Sequence, residues 1–144
     1  MLFRVFAILV LLACQDSGWV TYQGHKVSAL EGQVLIQITL EVEEGYHIQE
    51  VAPADPYLVP TKLALALPGG WVVDSVSFPK PEPWLLEGTN DTLGVYGGSL
   101  IVEVYLKTGG MPLKGASIPA TLSYQACDHA KCFFPRELKF LLEF

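Results

Sequence analysis

The chain of 144 residues is short of cysteine, short of positive charge and without an apolar run long enough to cross a bilayer. Nine lysines and arginines stand against fifteen aspartates and glutamates, a formal charge of −6. A nucleic-acid partner would call for a basic face, so none is expected. The early apolar run, Val5 to Leu12, has only eight residues, far below the roughly 20 a membrane helix needs. No convincing amphipathic helix, internal repeat or low-complexity tract occurs. Nor is there a serine–histidine–carboxylate set, a phosphate-binding glycine loop or a carboxylate pair placed for acid–base work, so hydrolase and transferase chemistry have no support.

What the sequence does have is a 51% hydrophobic composition, enough for one packed domain and against disorder. Apolar residues recur at every second position. Gly32 to Val42 is the clearest strand, with Val34, Ile36, Ile38, Leu40 and Val42 on one face. Trp19 to Leu30 reads as a first edge strand, and Tyr46-His47-Ile48 begins a short one. Thr61 to Leu67, Trp71 to Phe78, Val95 to Leu106, Ile118 to Ala126 and Phe133 to Phe144 are further strands. Pro79 to Pro83 is too proline-rich for a central strand, and Trp84 to Thr92 reads as a loop. Short strands with a turn signal every ten or so residues predict an all-β, immunoglobulin-like sandwich of about seven to nine strands, with a small barrel as the alternative.

The first fourteen residues differ from the rest. One basic residue, Arg4, precedes the apolar run, which ends in Leu11-Leu12-Ala13-Cys14. This resembles the lipobox of bacterial lipoproteins, with a signal peptide at 1–13, lipidation of Cys14 and a short linker at 14–18 before a domain at 19–144. The competing reading is an ordinary signal peptide or a buried first strand. If Cys14 carries lipid, Cys127 and Cys132 are the two thiols left, in an exported chain whose compartment lets disulfides persist.

Four residues separate Cys127 from Cys132, at the tip of what reads as a hairpin. Adjacent antiparallel strands bring Cα atoms close enough for a disulfide. The closed loop is short, so the bridge stabilises the fold less than one joining distant strands. Exchange and a structural staple both fit this spacing. His129 and Lys131, between the sulfurs, would lower a thiolate's pKa and Asp128 would oppose them; alternatively all three are solvated turn residues. A zinc or copper site from Cys127, His129, Cys132 and a remote His47 or His25 is a sharper rival, but the spacing does not require it, and neither metal nor cofactor is expected. Cys132 is expected to be the more accessible sulfur.

Four stretches carry a resemblance: Gly45-Tyr46-His47-Ile48, Asp55 to Thr61, Val95-Tyr96-Gly97-Gly98, and Tyr124-Gln125-Ala126-Cys127 through Cys132-Phe133-Phe134-Pro135. In this order they resemble the amino-terminal domain of the thiol:disulfide interchange protein DsbD. The resemblance implies an immunoglobulin-like sandwich with its cysteine pair near one end. It implies a relay of electrons, by thiol–disulfide exchange, from a membrane-embedded thiol reductase to exported thioredoxin-like proteins. The chain would then be a periplasmic or cell-envelope electron carrier rather than an enzyme with a small substrate. It has neither the membrane domain nor the terminal thioredoxin domain of full-length members, so its partners are expected on separate chains and its membrane contact through the lipid. Its cysteine spacing is one residue shorter than in the best-known members. Tyr46, His47 and Tyr124 would line the floor of the site, or else simply pack. The stretch Trp84-Leu85-Leu86-Glu87-Gly88 is placed as the cap, with Trp84, Leu85 and Leu86 as apolar covers for the disulfide; the bland reading is that they close the end of the sandwich. The rival function is a β-sandwich that binds a protein partner and uses the disulfide as a staple.

Overall fold

A computed structural model describes residues 18–144. The leader assigned to 1–13, the lipidation residue Cys14 and all but the last residue of the linker lie outside the described residues. Eleven strands occur among the described residues: β1 (Val20–Leu30), β2 (Gln33–Val42), β3 (His47–Gln49), β4 (Lys62–Leu65), β5 (Val72–Ser77), β6 (Glu82–Leu85), β7 (Thr92–Tyr96), β8 (Ser99–Lys107), β9 (Ser117–Tyr124), β10 (Ala126–Cys127) and β11 (Arg136–Glu143). Every pairing is antiparallel. They form three sheets, in the orders β1-β2-β8-β5, β10-β3-β7-β6 and β11-β9-β4.

The core follows from the alternation. Ile36, Ile38 and Leu40 of β2 register against Val104, Val102 and Leu100 of β8, and all six are buried. Ile118, Ala120, Leu122 and Tyr124 of β9, with Leu138, Phe140 and Leu142 of β11, supply apolar faces to the same cluster. Each fully buried aliphatic side chain contributes about 1.5–3 kcal/mol, so this cluster dominates the stability of the immunoglobulin-like sandwich. The sheet β10-β3-β7-β6, built of short strands that continue from the ends of β2 and β9, contributes Ile48, Tyr96 and Ala126 to it.

Three departures from the sequence reading matter for the site. The run 95–106 is two strands in two sheets, because Gly97-Gly98 breaks it; Gly98 has a φ of 63°, which a side chain would disfavour. The run 118–126 also divides, at Gln125, so that Ala126-Cys127 leaves the sheet of β9 and pairs with β3. The segment expected as a loop, 84–92, is instead the end of a hairpin: β6 pairs with β7, with Trp84 opposite Leu93 and Leu85 opposite Thr92. Pro83 is tolerated there because β6 is an edge strand with no outer neighbour awaiting its missing N–H. These divisions turn eight expected strands into eleven.

Candidate functional site: a disulfide hairpin at the end of the sandwich

Cys127 and Cys132 are joined by a disulfide, with Cα atoms 3.9 Å apart. They face each other as an isolated antiparallel pair. Asp128 N–H donates to Lys131 O at 2.9 Å and Phe133 N–H to Ala126 O at 2.8 Å. These bonds flank the cysteines and make them a non-hydrogen-bonded pair, the kind in which Cα atoms and side chains come closest. The backbone thus sets the two sulfurs together. They are unequally placed: Cys127 is wholly buried, at 0% exposure, and Cys132 is half-buried.

The turn between them is held by Asp128. Its Oδ1 accepts the N–H groups of Ala130 at 2.9 Å and Lys131 at 2.8 Å. These two bonds, more than the neighbouring cations, hold the carboxyl below its ordinary pKa. A group whose pKa is lower folded than unfolded contributes stability above the unfolded value and loses it as pH falls through the folded one. The turn should therefore keep its clamp at neutral pH and lose it only below about pH 4. Asp128→Ala is expected to speed reduction of the disulfide by a phosphine, which works in acid, severalfold at pH 6 and by a factor that shrinks as acid protonates the carboxyl. An acceleration that stays constant down the whole acid titration would show that the carboxylate clamp is not what holds the turn.

The other expected site residues fall on several sides of the disulfide. His129 is 78% exposed by side chain, with Nε2 3.9 Å from the Glu87 carboxylate. Lys131 Nζ lies 5.2 Å from the centre of the Phe133 ring. His47 is the register partner of Cys127. Its ring packs 5.0 Å from Trp84, and its buried Nδ1 has no hydrogen-bond partner among the described residues. Tyr46 stacks on Trp19, which also packs 4.6 Å from Phe133, the residue after Cys132. Tyr124 is buried in the core, and its hydroxyl accepts the Trp19 N–H at 3.3 Å. His25 belongs elsewhere, bonded to the Tyr22 hydroxyl on β1. Among the described residues no three histidine, cysteine or acidic side chains gather as a metal cluster.

The stretch placed as a cap does reach the cysteine turn, through a polar residue. Glu87 N–H donates to His129 O at 3.1 Å. Trp84 covers His47, Leu86 is half-buried, and Leu85 is 58% exposed. Beside Cys132, a surface hollow of about 380 Å³ is lined by Gln125, Lys131, Cys132, Phe133, Phe134 and Pro135. Phe134 stands 91% exposed at its rim.

Two glutamines were passed over in the sequence. Gln49, 1% exposed, donates from Nε2 to Cys127 Sγ at 3.1 Å and lies 3.9 Å from Cys132 Sγ. It lies two positions along from His47, the partner of Cys127, so its side chain shares a sheet face with the cysteine. No alternation flags it, because Ile48 and Gln49 are both buried in a strand covered on two sides. Gln125 was noted only as part of a motif. Its carbonyl accepts Gln49 N–H at 3.1 Å, its Oε1 accepts Val59 N–H at 2.8 Å, and its Nε2 donates to Phe133 O at 3.2 Å.

The geometry defines a class: an antiparallel sandwich with a disulfide-closed hairpin at one end, one sulfur enclosed and the other reachable. The sequence pattern of the family described as "Thiol:disulfide interchange protein DsbD, N-terminal" matches residues 16–143. The chain belongs to that family. No curated protein sequence matches it. Among solved structures it is similar to the N-terminal periplasmic domain of ScsB from Proteus mirabilis, at TM-score 0.52 and 14% identity, over 84% of this chain and 44% of that one. The chain thus spans less than half the length of that ScsB chain. It also matches the reduced form of the DsbD N-terminal domain from Neisseria meningitidis, at TM-score 0.45 and 16% identity, over 83% of each chain. Among the described residues no helix is long and apolar enough to cross a membrane.

Proposed function

We propose that this chain is an exported thiol–disulfide exchange module that relays electrons from a membrane-embedded thiol reductase to extracytoplasmic thioredoxin-like proteins through Cys127 and Cys132. The observation that carries the reading is the unequal burial of the two sulfurs. The partly exposed Cys132 is the sulfur a partner thiolate attacks, and the enclosed Cys127 is the leaving sulfur. The open hollow beside Cys132, with Phe134 at its rim, gives a protein partner room to bring its own cysteine in. The chain is an electron carrier, with donor and acceptor on separate chains. The leader at 1–13 exports it, and lipid on Cys14 tethers the domain of 19–144 to the membrane surface by way of the 14–18 linker.

The test is the reduction potential of the pair, read by alkylation and mass spectrometry across graded thiol buffers. A value between roughly −180 and −270 mV, among those of exchange proteins, is expected. A value below about −300 mV is that of a bridge cellular thiols do not open; it would replace the relay by a partner-binding sandwich with a structural staple.

A further inference from the structure

Among the described residues Gln49 is the one buried polar side chain that hydrogen-bonds the sulfurs, and the exchange reading gives it no role. It is 1% exposed, its Nε2 lies 3.1 Å from Cys127 Sγ, and its buried Oε1 has no partner among the described residues. Its main chain is fixed at both ends. Its N–H donates to Gln125 O at 3.1 Å, and its carbonyl accepts the Thr61 hydroxyl. The side chain is therefore held against the cysteine by backbone bonds, at the cost of leaving an amide oxygen unsatisfied. A buried amide placed that way for packing alone would cost stability with no return.

The chemistry of Cys127 supplies the return. During reduction a dithiol protein's thiolate attacks Cys132 Sγ. A new S–S bond forms, the Cys127–Cys132 bond breaks, and its electron pair goes to Cys127 Sγ as a thiolate. The partner's second thiolate then attacks its own sulfur in the mixed disulfide and expels Cys132 as a thiolate. The partner leaves oxidised, and both cysteines take protons from solvent. The first step makes an anion at a position with 0% exposure, where desolvation disfavours charge and slows departure. We propose that the Gln49 side-chain amide donates to the Cys127 thiolate and so makes the enclosed cysteine a competent leaving group, much as an oxyanion hole serves an alkoxide. This inference deepens the exchange reading and rests on it.

The titratable groups arranged around Cys127 are His47 on β3, Asp128, His129 and Lys131 in the turn, Glu87 on the β6–β7 hairpin, and Glu50 beside Gln49. None of them changes among variants at position 49, so differences within that series read Gln49. In the full chain carrying Cys132→Ser, alkylation of the Cys127 peptide is followed against pH by mass spectrometry, which separates it from Cys14. Gln49→Met, similar in size but without a donor, should raise the midpoint by about one pH unit. Gln49→Glu, similar in shape but acceptor-only and anionic, should raise it further. With Cys132 restored, reduction by dithiothreitol should slow about tenfold in the methionine variant. Equal midpoints in all three chains would overturn the proposal, since a packing role moves melting temperature and not this order. A measurement without substitution at Gln49 covers the case in which the variants do not fold. In the reduced Cys132→Ser chain, one Gln49 Nε2 proton should shift downfield in NMR with the midpoint of Cys127, and a proton that does not move overturns the proposal. If the shift is present while no protein dithiol reduces the native disulfide, Gln49 stands and the relay falls.

Discussion

Replacing both cysteines by alanine is expected to abolish electron transfer completely while costing the fold only about 2 kcal/mol, the loop-closure contribution of so short a ring. The hairpin does not depend on the sulfurs. Two backbone bonds flank the pair, and Asp128 Oδ1 clamps the turn. Most of the core cluster lies on β1, β2, β8, β9 and β11, outside the sheet that carries Cys127. Urea unfolding checks the energy, and a loss above about 4 kcal/mol would favour the staple over the relay. The single variants should separate the two roles. With Cys127→Ala, the half-buried Cys132 stays reachable. It should capture a thioredoxin-like protein whose lone active-site cysteine carries a nitrothiobenzoate group: the Cys132 thiolate forms the new S–S bond and the coloured thiolate leaves. With Cys132→Ala, Cys127 remains at 0% exposure and should capture little or none. Capture by Cys127 equal to that by Cys132 would mean the hairpin opens far enough to expose the inner sulfur, and would reverse the assignment of attacked and leaving cysteine.

The division between what could be read from the sequence and what could not has a physical basis. The large strands were legible because each keeps one face in the core, and the period of two survives in residues such as Ile36, Ile38 and Leu40 against Val102 and Val104. The cysteine pair was legible because its hairpin closes locally. The breaks at Gly97-Gly98 and Gln125 were hidden, since apolar alternation continues across both while the chain changes sheets. The β6–β7 hairpin was hidden because its prolines and short arms look like loop, although an edge strand tolerates them. Glu87 and Gln49 were hidden for another reason. Their contacts, to His129 O and to Cys127 Sγ, join segments far apart in the chain, and nothing local marks a glutamate in a turn or a glutamine after an isoleucine. The stretch from which an apolar cover by Trp84, Leu85 and Leu86 was expected is tied to the cysteine turn by a backbone N–H, that of Glu87.

Gln125 is where fold and site meet, and its removal is expected to show in both. It sits at the point where the chain leaves the sheet of β9 for that of β3. Its Oε1 holds Val59 of the 50–61 loop, and its Nε2 holds Phe133 just past Cys132. Gln125→Leu keeps the bulk and strands both partners. A half-buried N–H and a carbonyl left unpaired should cost about 2–4 kcal/mol together, seen as a lower urea midpoint with an unchanged slope. Gln125→Glu keeps an acceptor for Val59 and loses the donor to Phe133, so it should cost about half as much. The disulfide should respond in the opposite order of importance. Phe133 N–H is one of the two bonds that align the cysteines, so loosening its carbonyl frees the Cys132 side of the hairpin in both variants. Reduction by dithiothreitol should therefore accelerate by a similar factor in leucine and glutamate variants even though their stabilities differ. Rates that instead track the stabilities would mean that reduction goes through global unfolding, and that the hairpin has no local opening of its own.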